Sequence, residues 1–314
     1  MNQNNREQNM FNGPEVYCTY FDHNYLRKGL LMINSLRRHS RPRGMTMVVL
    51  ALSKRCEEIL RKLELPDLII ISLKHMEARE PRLLEAKANR RKVEYFFTLT
   101  PWVITMALER VPTSQRATYV DSDLYFFSNT EPIWREVSDQ PMTFVEHRFA
   151  PGYTDKIIFG RYNVGWNTFN RSSNAQQGLD WWRERCLEWC YDRVEGEKFA
   201  DQGYLTTLAN RFPGVHSLKY PGVNLAQYNL GNYKLAMGTD GPTANELPVI
   251  YWHMHSVIEG DDGSFRAAMG PDLANNQIVS WAYSFYIDQL KQLTDKLKHK
   301  GFPIDRGNAR YPTL

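Results

Sequence analysis

The sequence predicts an α/β fold, a mainly parallel sheet flanked by helices. Short apolar runs alternate with segments of helical period through the first third of the chain, and a β-α-β-α-β order builds parallel sheets covered on their faces. A third observation marks where a ligand would sit. Asp121-Ser122-Asp123 follows the apolar run Ala117-Thr118-Tyr119-Val120 directly, and open α/β sheets bind ligands just beyond the carboxyl ends of their strands.

Residues 15–20 read as a short strand, and 25–39 then carry Leu26, Leu30, Ile33 and Leu36 at helical spacing. A second strand spans 45–50, a helix over 53–63 opens on the capping residue Ser53, and a third strand spans 68–72. A helical stretch runs from 82 to 109, where Pro101 marks a new helix or a kink. Residues 117–120 form the strand that delivers the paired carboxylates, and 142–146 and 165–169 are two more. A long helix over 176–192 sets Leu179, Trp182, Cys186 and Trp189 on one stripe. A late strand spans 249–255, and 275–298 has an amphipathic helical pattern. With no internal repeat or linker, the chain divides into a polar, disordered N-terminus (1–13), one domain (14–260) and a helical extension (261–314).

The 314 residues are 42% hydrophobic, ample for a core, and 13% aromatic. Surplus aromatics fill cores, and they also line sugar and base sites. A net charge of +4 is far from the signature of a nucleic-acid binder. Basic residues bunch at Arg37, Arg38, His39, Arg41 and Arg43, and at Lys87, Arg90, Arg91 and Lys92. These are solvated helix faces, or a surface that meets phosphates or an anionic membrane. Cys186 and Cys190 stand at i and i+4, half of a metal site, but no further ligand follows at a zinc-like spacing. These two therefore read as reduced core residues, and the four cysteines make no disulfide framework in a chain this long. With no apolar signal region and no run of transmembrane length, the expected location is cytoplasmic, compatible with a peripheral position at the inner membrane face.

Side chains alternate along a strand, so Asp121 and Asp123 leave the strand end on one face. Two hard oxygen ligands held together there suit Mg²⁺ or Mn²⁺ carrying a diphosphate. The competing reading is an acidic turn that only caps. After the first strand, Asp22 and Asn24 offer an acceptor and an amide to a base edge, with Tyr20 or Tyr25 to stack on it. The local alternative is that Asp22 or Asn24 caps the next helix. No glycine fingerprint is present there, which excludes a dinucleotide loop and a P-loop. Asn163 could bond sugar hydroxyls while Gly165 lets backbone approach closely. Asp201 and Gln202 stand at a helix start, either as an N-cap or pointing into a sugar site. In an extended 251–255, His253 and His255 share a face, and either could complete a metal site or be a satisfied core histidine.

Together these segments resemble glycosyltransferases of the GT-A fold, in particular the family 8-like branch that uses nucleotide sugars. The likeness spans about residues 16–256, through Asp22 to Tyr25, the Tyr-Val-Asp-Ser-Asp-Leu block, Tyr-Asn-Val-Gly at 162–165, Asp201-Gln202 and the late histidines. Tyr-Phe-Phe-Thr-Leu-Thr-Pro at 95–101 and the Trp-rich 180–192 are similar to a bacterial branch associated with surface polysaccharide assembly. The resemblance implies that Asp121, Asp123 and His253 (or His255) bind Mn²⁺ or Mg²⁺, with the metal bridging the donor diphosphate. It implies that Asp22 and Asn24, with Tyr20, Tyr25 and Ser122, contact the nucleotide, and that Asn163, Asp201 and Gln202 hold the sugars. Phe97 stands where many relatives have a donor-binding arginine, a contact then missing or left to Arg90 or Arg91. Ser256 and Val257 replace a glycine and lysine usual after the histidine.

The expected activity is thus sugar transfer from a nucleoside diphosphate-sugar, with UDP implied as carrier, to a glycan or lipid-linked acceptor, with retention of configuration. Asp201 and Gln202 are the candidates for the reacting face. The acceptor pocket is expected from residues 149–161 and the C-terminal tail. Two rivals are a nucleotidyltransferase, which needs a glycine-rich loop absent from 20–25, and a non-catalytic carbohydrate- or nucleotide-binding scaffold on the same fold.

Overall fold

The computed structural model describes residues 15–40, 44–260 and 262–303. The expected disorder of 1–13, and Arg41 and Arg43, lie outside the described residues. Strands β1 (Glu15–Phe21), β2 (Met45–Ala51), β3 (Leu68–Ser72) and β4 (Arg116–Val120) lie parallel in the order β3-β2-β1-β4. β5 (Leu124–Phe126) leaves this sheet. β6 (Met142–Glu146), β7 (Tyr162–Asn170) and β8 (Val215–Leu218) extend it past β4 in the order β7-β6-β8. β7 runs antiparallel to both β4 and β6, and β8 parallel to β6. β1 and β2 are buried on both faces, which is why they read as near-continuous apolar runs rather than alternating ones.

One sheet face packs Val16, Val48, Leu50 and Tyr119 against helices Thr100–Arg110 and Ser173–Glu188, through Val103, Ile104 and Trp182. The other packs Tyr17, Met47 and Val49 against helix Leu26–His39, whose inner stripe includes Leu26, Leu30, Ile33 and Leu36. A small antiparallel sheet, β9 (Leu235–Gly238), β10 (Gly241–Ala244) and β11 (Leu247–Pro248), precedes β12 (Tyr251–His253). β13 (Val257–Glu259) and β14 (Phe265–Ala267) form a hairpin. The last described helix, Gln277–His299, buries Val279, Tyr283, Tyr286 and Leu290 in a third cluster with Tyr125, Phe127 and Trp252. No helix of the described residues is long and apolar enough to cross a membrane.

Several expected elements differ. The stretch 82–109 is three helices, Arg82–Asn89, Lys92–Thr98 and Thr100–Arg110, and Pro101 sits in the first turn of the last, where its missing N–H costs nothing. The late strand contracts to β12, which pairs antiparallel with β5 and not with the main sheet. Helices Leu73–Arg79 and Glu131–Val137 are seven residues each, too short to show a period in the sequence. Ser53 caps its helix as expected, accepting from the Cys56 N–H at 3.2 Å, and all four cysteines are buried thiols.

Candidate functional site

Backbone pairing assembles the site. β1 and β4 are parallel neighbours, with Tyr17 opposite Thr118 and Cys18 opposite Tyr119, so the segments after them, 22–25 and 121–123, emerge side by side. β7 returns along β4 with Val120 opposite Trp166, and the Asp121 N–H donates to the Gly165 carbonyl at 3.2 Å. β5 starts directly after Asp123 and pairs Leu124 with His253 of β12, while the Met254 N–H donates to the Asp123 carbonyl at 2.9 Å. Three distant segments thereby converge on one point.

There the His253 Nε2 lies 3.2 Å from Asp123 Oδ1 and 3.5 Å from Asp121 Oδ2. One ligand atom from each of the three residues falls within 4.8 Å of the other two. Asp123 and His253 are buried, and the Asp121 side chain is 25% exposed, so the cluster has one open side. Burial lifts the Asp121 carboxyl above its ordinary range, partly offset by the charge of His253. Burial opposes the Asp123 charge as well, but His253 beside it, with Lys28 behind, holds that carboxyl well below the ordinary range. Burial disfavours an imidazolium at His253, yet the two carboxylates raise its pKa. Two carboxylates and an imidazole nitrogen packed this closely share too few protons to be at ease, and a single dication satisfies all three. Oxygen-rich ligands with one imidazole fit Mn²⁺ or Mg²⁺. The His253 Nδ1 has no hydrogen-bond partner and faces Gly165, where an added Cβ would stand 3.3 Å away.

The other expected residues fall as follows. Asp22 is buried and forms a side-chain turn: its Oδ1 accepts from the Asn24 N–H at 2.9 Å, and its Oδ2 from Asn24 Nδ2 at 3.1 Å and Lys92 Nζ at 2.9 Å. The Tyr20 hydroxyl bonds Thr100 Oγ1 at 3.1 Å, and its ring lies 5.5 Å from that of Tyr119, whose hydroxyl donates to Asp121 Oδ1 at 2.9 Å. Tyr25 carries the Lys28 ammonium over its ring at 4.8 Å. Ser122 stands half-buried between the two carboxylates.

Asn163 Oδ1 accepts from the Gly165 N–H at 2.8 Å, while its Nδ2 donates to Gln202 Oε1 at 3.4 Å and His147 Nε2 at 3.3 Å. Gln202 is also held by donation to the Phe159 carbonyl at 2.9 Å. Asp201 does not cap the helix, which begins at Gly203 with no side-chain cap. Its carboxyl is instead buried, with Oδ2 unpartnered, and burial pushes its pKa up to about 7, against the Thr100 hydroxyl that favours its charge.

One expectation requires correction, and two candidate residues are otherwise engaged. The Arg90 guanidinium, one of the two arginines that could replace the donor contact missing at Phe97, donates to Thr98 Oγ1 and to the carbonyls of Cys186 and Leu187, closing the end of helix Ser173–Glu188. Arg91 is taken by Glu94 at 2.9 Å and Asp192 at 3.1 Å. His255 does not share a strand face with His253, because β12 ends at His253. Its ring crosses that of His253 at 5.2 Å and 78° and stacks on Tyr228 at 5.6 Å, outside the three-residue cluster.

The sequence reading missed three residues near the site. Lys28, nearly buried, donates to the Val257 carbonyl at 2.7 Å and is close enough to act on Asp123 and His253. Its position, one turn past Tyr25, was the available signal. His147 and Tyr228 lie beyond a strand end and in a loop, and nothing local marks either.

No protein-family model matches this chain. It is similar to the uncharacterized protein YfnD of Bacillus subtilis, 27% identical over 292 residues (91% of this chain, 92% of that protein), and to YfnF of the same organism, 29% identical over 247 residues (76% and 80%). Among solved structures it resembles the galactosyltransferase LgtC in complex with donor and acceptor sugar analogues, with a TM-score of 0.53, 16% identity, and coverage of 91% of this chain and 99% of that one. The glycosyltransferase GlyE of Streptococcus pneumoniae gives 0.53 at 14% identity (94% and 66%), and mouse xyloside xylosyltransferase 1 gives 0.50 at 14% (76% and 97%). The fold is the GT-A glycosyltransferase fold, with its mixed, mainly parallel central sheet flanked by helices.

Proposed function

We propose that this chain is a metal-dependent glycosyltransferase that moves a sugar from a nucleoside diphosphate-sugar, UDP-linked by preference, to a glycan or lipid-linked acceptor in surface polysaccharide assembly. The observation that carries the proposal is the convergence of Asp121, Asp123 and His253 at the carboxyl ends of the strands, beside the buried carboxyl of Asp201. The GT-A fold supports it, since one of the solved neighbours is a galactosyltransferase crystallised with donor and acceptor sugar analogues.

Cleaving the anomeric carbon–oxygen bond leaves a diphosphate with added negative charge, and stabilising that charge as it develops is where a catalyst gains most. Mn²⁺ or Mg²⁺ held by Asp121, Asp123 and His253 would supply positive charge there. Lys28 adds a fixed cation on the β12–β13 side of the cluster. The turn at Asp22 and Asn24, tied to Lys92, lies next to the carboxylates, where a base and ribose would rest. Asn163 and Gln202 lock one another's amides and so present a fixed edge to sugar hydroxyls. Asp201 offers its unpartnered Oδ2 to the sugar: neutral below about pH 7 it donates a hydrogen bond, and ionised above that it accepts one or faces the anomeric carbon. Retention of configuration follows from the resemblance to family 8-like enzymes.

Calorimetric titration of UDP and of GDP, with and without Mn²⁺, tests the donor site. The expected result is UDP binding that requires Mn²⁺ and is abolished in Asp123→Ala. Failure of both nucleotides to bind in the presence of Mn²⁺ overturns the proposal and leaves a scaffold on this fold.

A further inference from the structure

The central sheet ends in two strands of different character, β8 on one side and β3 on the other. β8 carries His216, whose Nε2 lies 2.9 Å from Glu136 Oε1, and Glu136 also accepts from the backbone N–H groups of Lys219 and Tyr220. Charged side chains, prolines and bulges are how monomeric proteins keep an edge strand from pairing with another chain. β3, Leu-Ile-Ile-Ile-Ser at 68–72, has none of these devices. Leu68, Ile69 and Ile70 are only half-buried, whereas β1 and β2 beside them are covered on both faces.

The register shows which backbone groups β3 turns outward. The Met47 N–H donates to the Asp67 carbonyl at 2.8 Å, and Met47 stands opposite Leu68 in the parallel ladder. Alternate residues of a strand turn both backbone groups to the same side, so Asp67, Ile69 and Ile71 face β2. Leu68 and Ile70 therefore turn N–H and C=O away from it, as Ser72 turns its N–H, and no strand of the described residues lies beyond. An unpaired row of this kind is a template for a further strand. Beside it runs a shallow groove lined by Leu60, Leu65, Leu68 and Ile70, with Arg61 and Glu64 at the rim.

The charges at the two ends of the strand select the chain that fits. Glu64 and Asp67, before β3, and Lys74, after it, are all exposed. A strand acidic at its start and basic at its end complements a copy of itself laid antiparallel, whereas a parallel copy sets like charges together. Centring the antiparallel pair on Ile70 sets Ile70 opposite Ile70 and Leu68 opposite Ser72 as hydrogen-bonded pairs. Ile69 then meets Ile71 of the other copy on the opposite face. Asp67 of each copy falls beside Lys74 of the other. A two-fold axis through Ile70, perpendicular to the sheet, keeps every side chain on its own face and covers both grooves.

We infer that β3 is the contact between two copies of this chain, paired antiparallel across a two-fold axis into one continuous sheet. The inference is independent of the transferase reading. Because the strands of the two copies run in opposite directions, their carboxyl ends open at opposite ends of the dimer, and with them the clusters of Asp121, Asp123 and His253. Each cluster is complete within one chain.

Sedimentation velocity at concentrations up to about 200 µM, which reaches weak specific association, tests this, with amide hydrogen exchange read on the same samples. Expected is a reversible monomer–dimer equilibrium in which exchange at Leu68 and Ile70 slows as the dimer forms. Ile70→Pro removes an outward N–H and spares the ladder to β2, so it should give a folded monomer. Lys74→Glu sets acidic against acidic at both ends of the pair and should weaken dimerisation about tenfold, an effect that added salt reduces. Lys74 is exposed, so this second variant carries the test even if the proline lowers stability. A monomer at every concentration, or a dimer that both variants leave unchanged, overturns the proposal. So does slow exchange at Leu68 and Ile70 in a monomer, which would mean that the same chain covers the edge.

Discussion

Asp201 shows how a buried carboxyl is maintained against the interest of the fold. Its carboxyl is 3% exposed at the residue level, and its pKa stands at about 7, against about 3.9 in an unfolded chain. A raised acid pKa means that the folded state holds the proton more tightly. Stability contributed by this group is therefore greatest below about pH 4, falls as pH rises through 4 to 7, and stays reduced above. Asp201→Asn, neutral at every pH, should raise the melting temperature at pH 8 and do little at pH 4, a difference on the order of 2–4 kcal/mol. Equal shifts at the two pH values would refute this account of the buried carboxyl. Sugar transfer should meanwhile fall, since the Asn cannot ionise.

Residue types were readable where the chemistry has a short-range signature. The carboxylates at 121 and 123 follow an apolar strand, and that alone placed them at a strand end. Asp201 misled in the opposite direction, because local sequence favours an N-cap there, and only burial against Trp182, whose indole N–H donates to the Asp201 carbonyl at 2.9 Å, reveals the alternative. Arg90 is offered by the resemblance as a stand-in for an arginine absent at Phe97, whereas the carbonyls it binds are 96 and 97 residues away. No single-sequence argument reaches contacts of that kind.

At the scale of elements, the site depends on β4, β7 and the β5–β12 pair, and Gly165 is where they meet. An added Cβ there would stand 2.6 Å from Asn163 Oδ1 and 3.3 Å from His253 Nδ1. Gly165→Ala should thus shift the Asn163 amide and the His253 ring without emptying the core. The expected outcome is a loss of roughly tenfold or more in Mn²⁺-dependent UDP affinity, with a melting temperature close to wild type. An unchanged affinity would show that Asn163 and His253 are not coupled through this strand. The first three strands and their helices were legible because their apolar periods are local. β5 was not: three residues, Leu124 to Phe126, become a strand only because Tyr251 to His253 pair with them across more than a hundred residues. For the same reason the shared face expected of His253 and His255 dissolved, since a strand ends where its partner does.

Across the whole molecule, three aromatic-rich clusters tie the sheet, the late strands and the last helix together. Tyr125 packs edge-on against Phe285 at 5.6 Å and Tyr286 at 5.8 Å, so the helix Gln277–His299 covers the strand that follows Asp123. Deleting residues 271–314 would expose Tyr125, Phe127 and Trp252 and loosen the β5–β12 pair. The truncated chain is expected to aggregate, or to melt well below the full chain and lose metal-dependent UDP binding. A soluble truncation with unchanged melting and binding would make 261–314 an independent extension. The buried Arg27–Glu259 pair connects the first helix to the same region, and removing one partner alone leaves a buried charge that costs about 3–5 kcal/mol.

On the proposed function, sugar transfer runs through the cluster at Asp121, Asp123 and His253. The most direct measurement is release of UDP from a panel of UDP-sugars, with Mn²⁺ or with chelator, by wild type and Asp123→Ala. Slow UDP release from at least one donor, dependent on Mn²⁺ and lost by a factor of about a hundred or more in the variant, is the predicted result. Release from no donor by a folded wild type that binds UDP and Mn²⁺, even with glycosides added as acceptors, would contradict it.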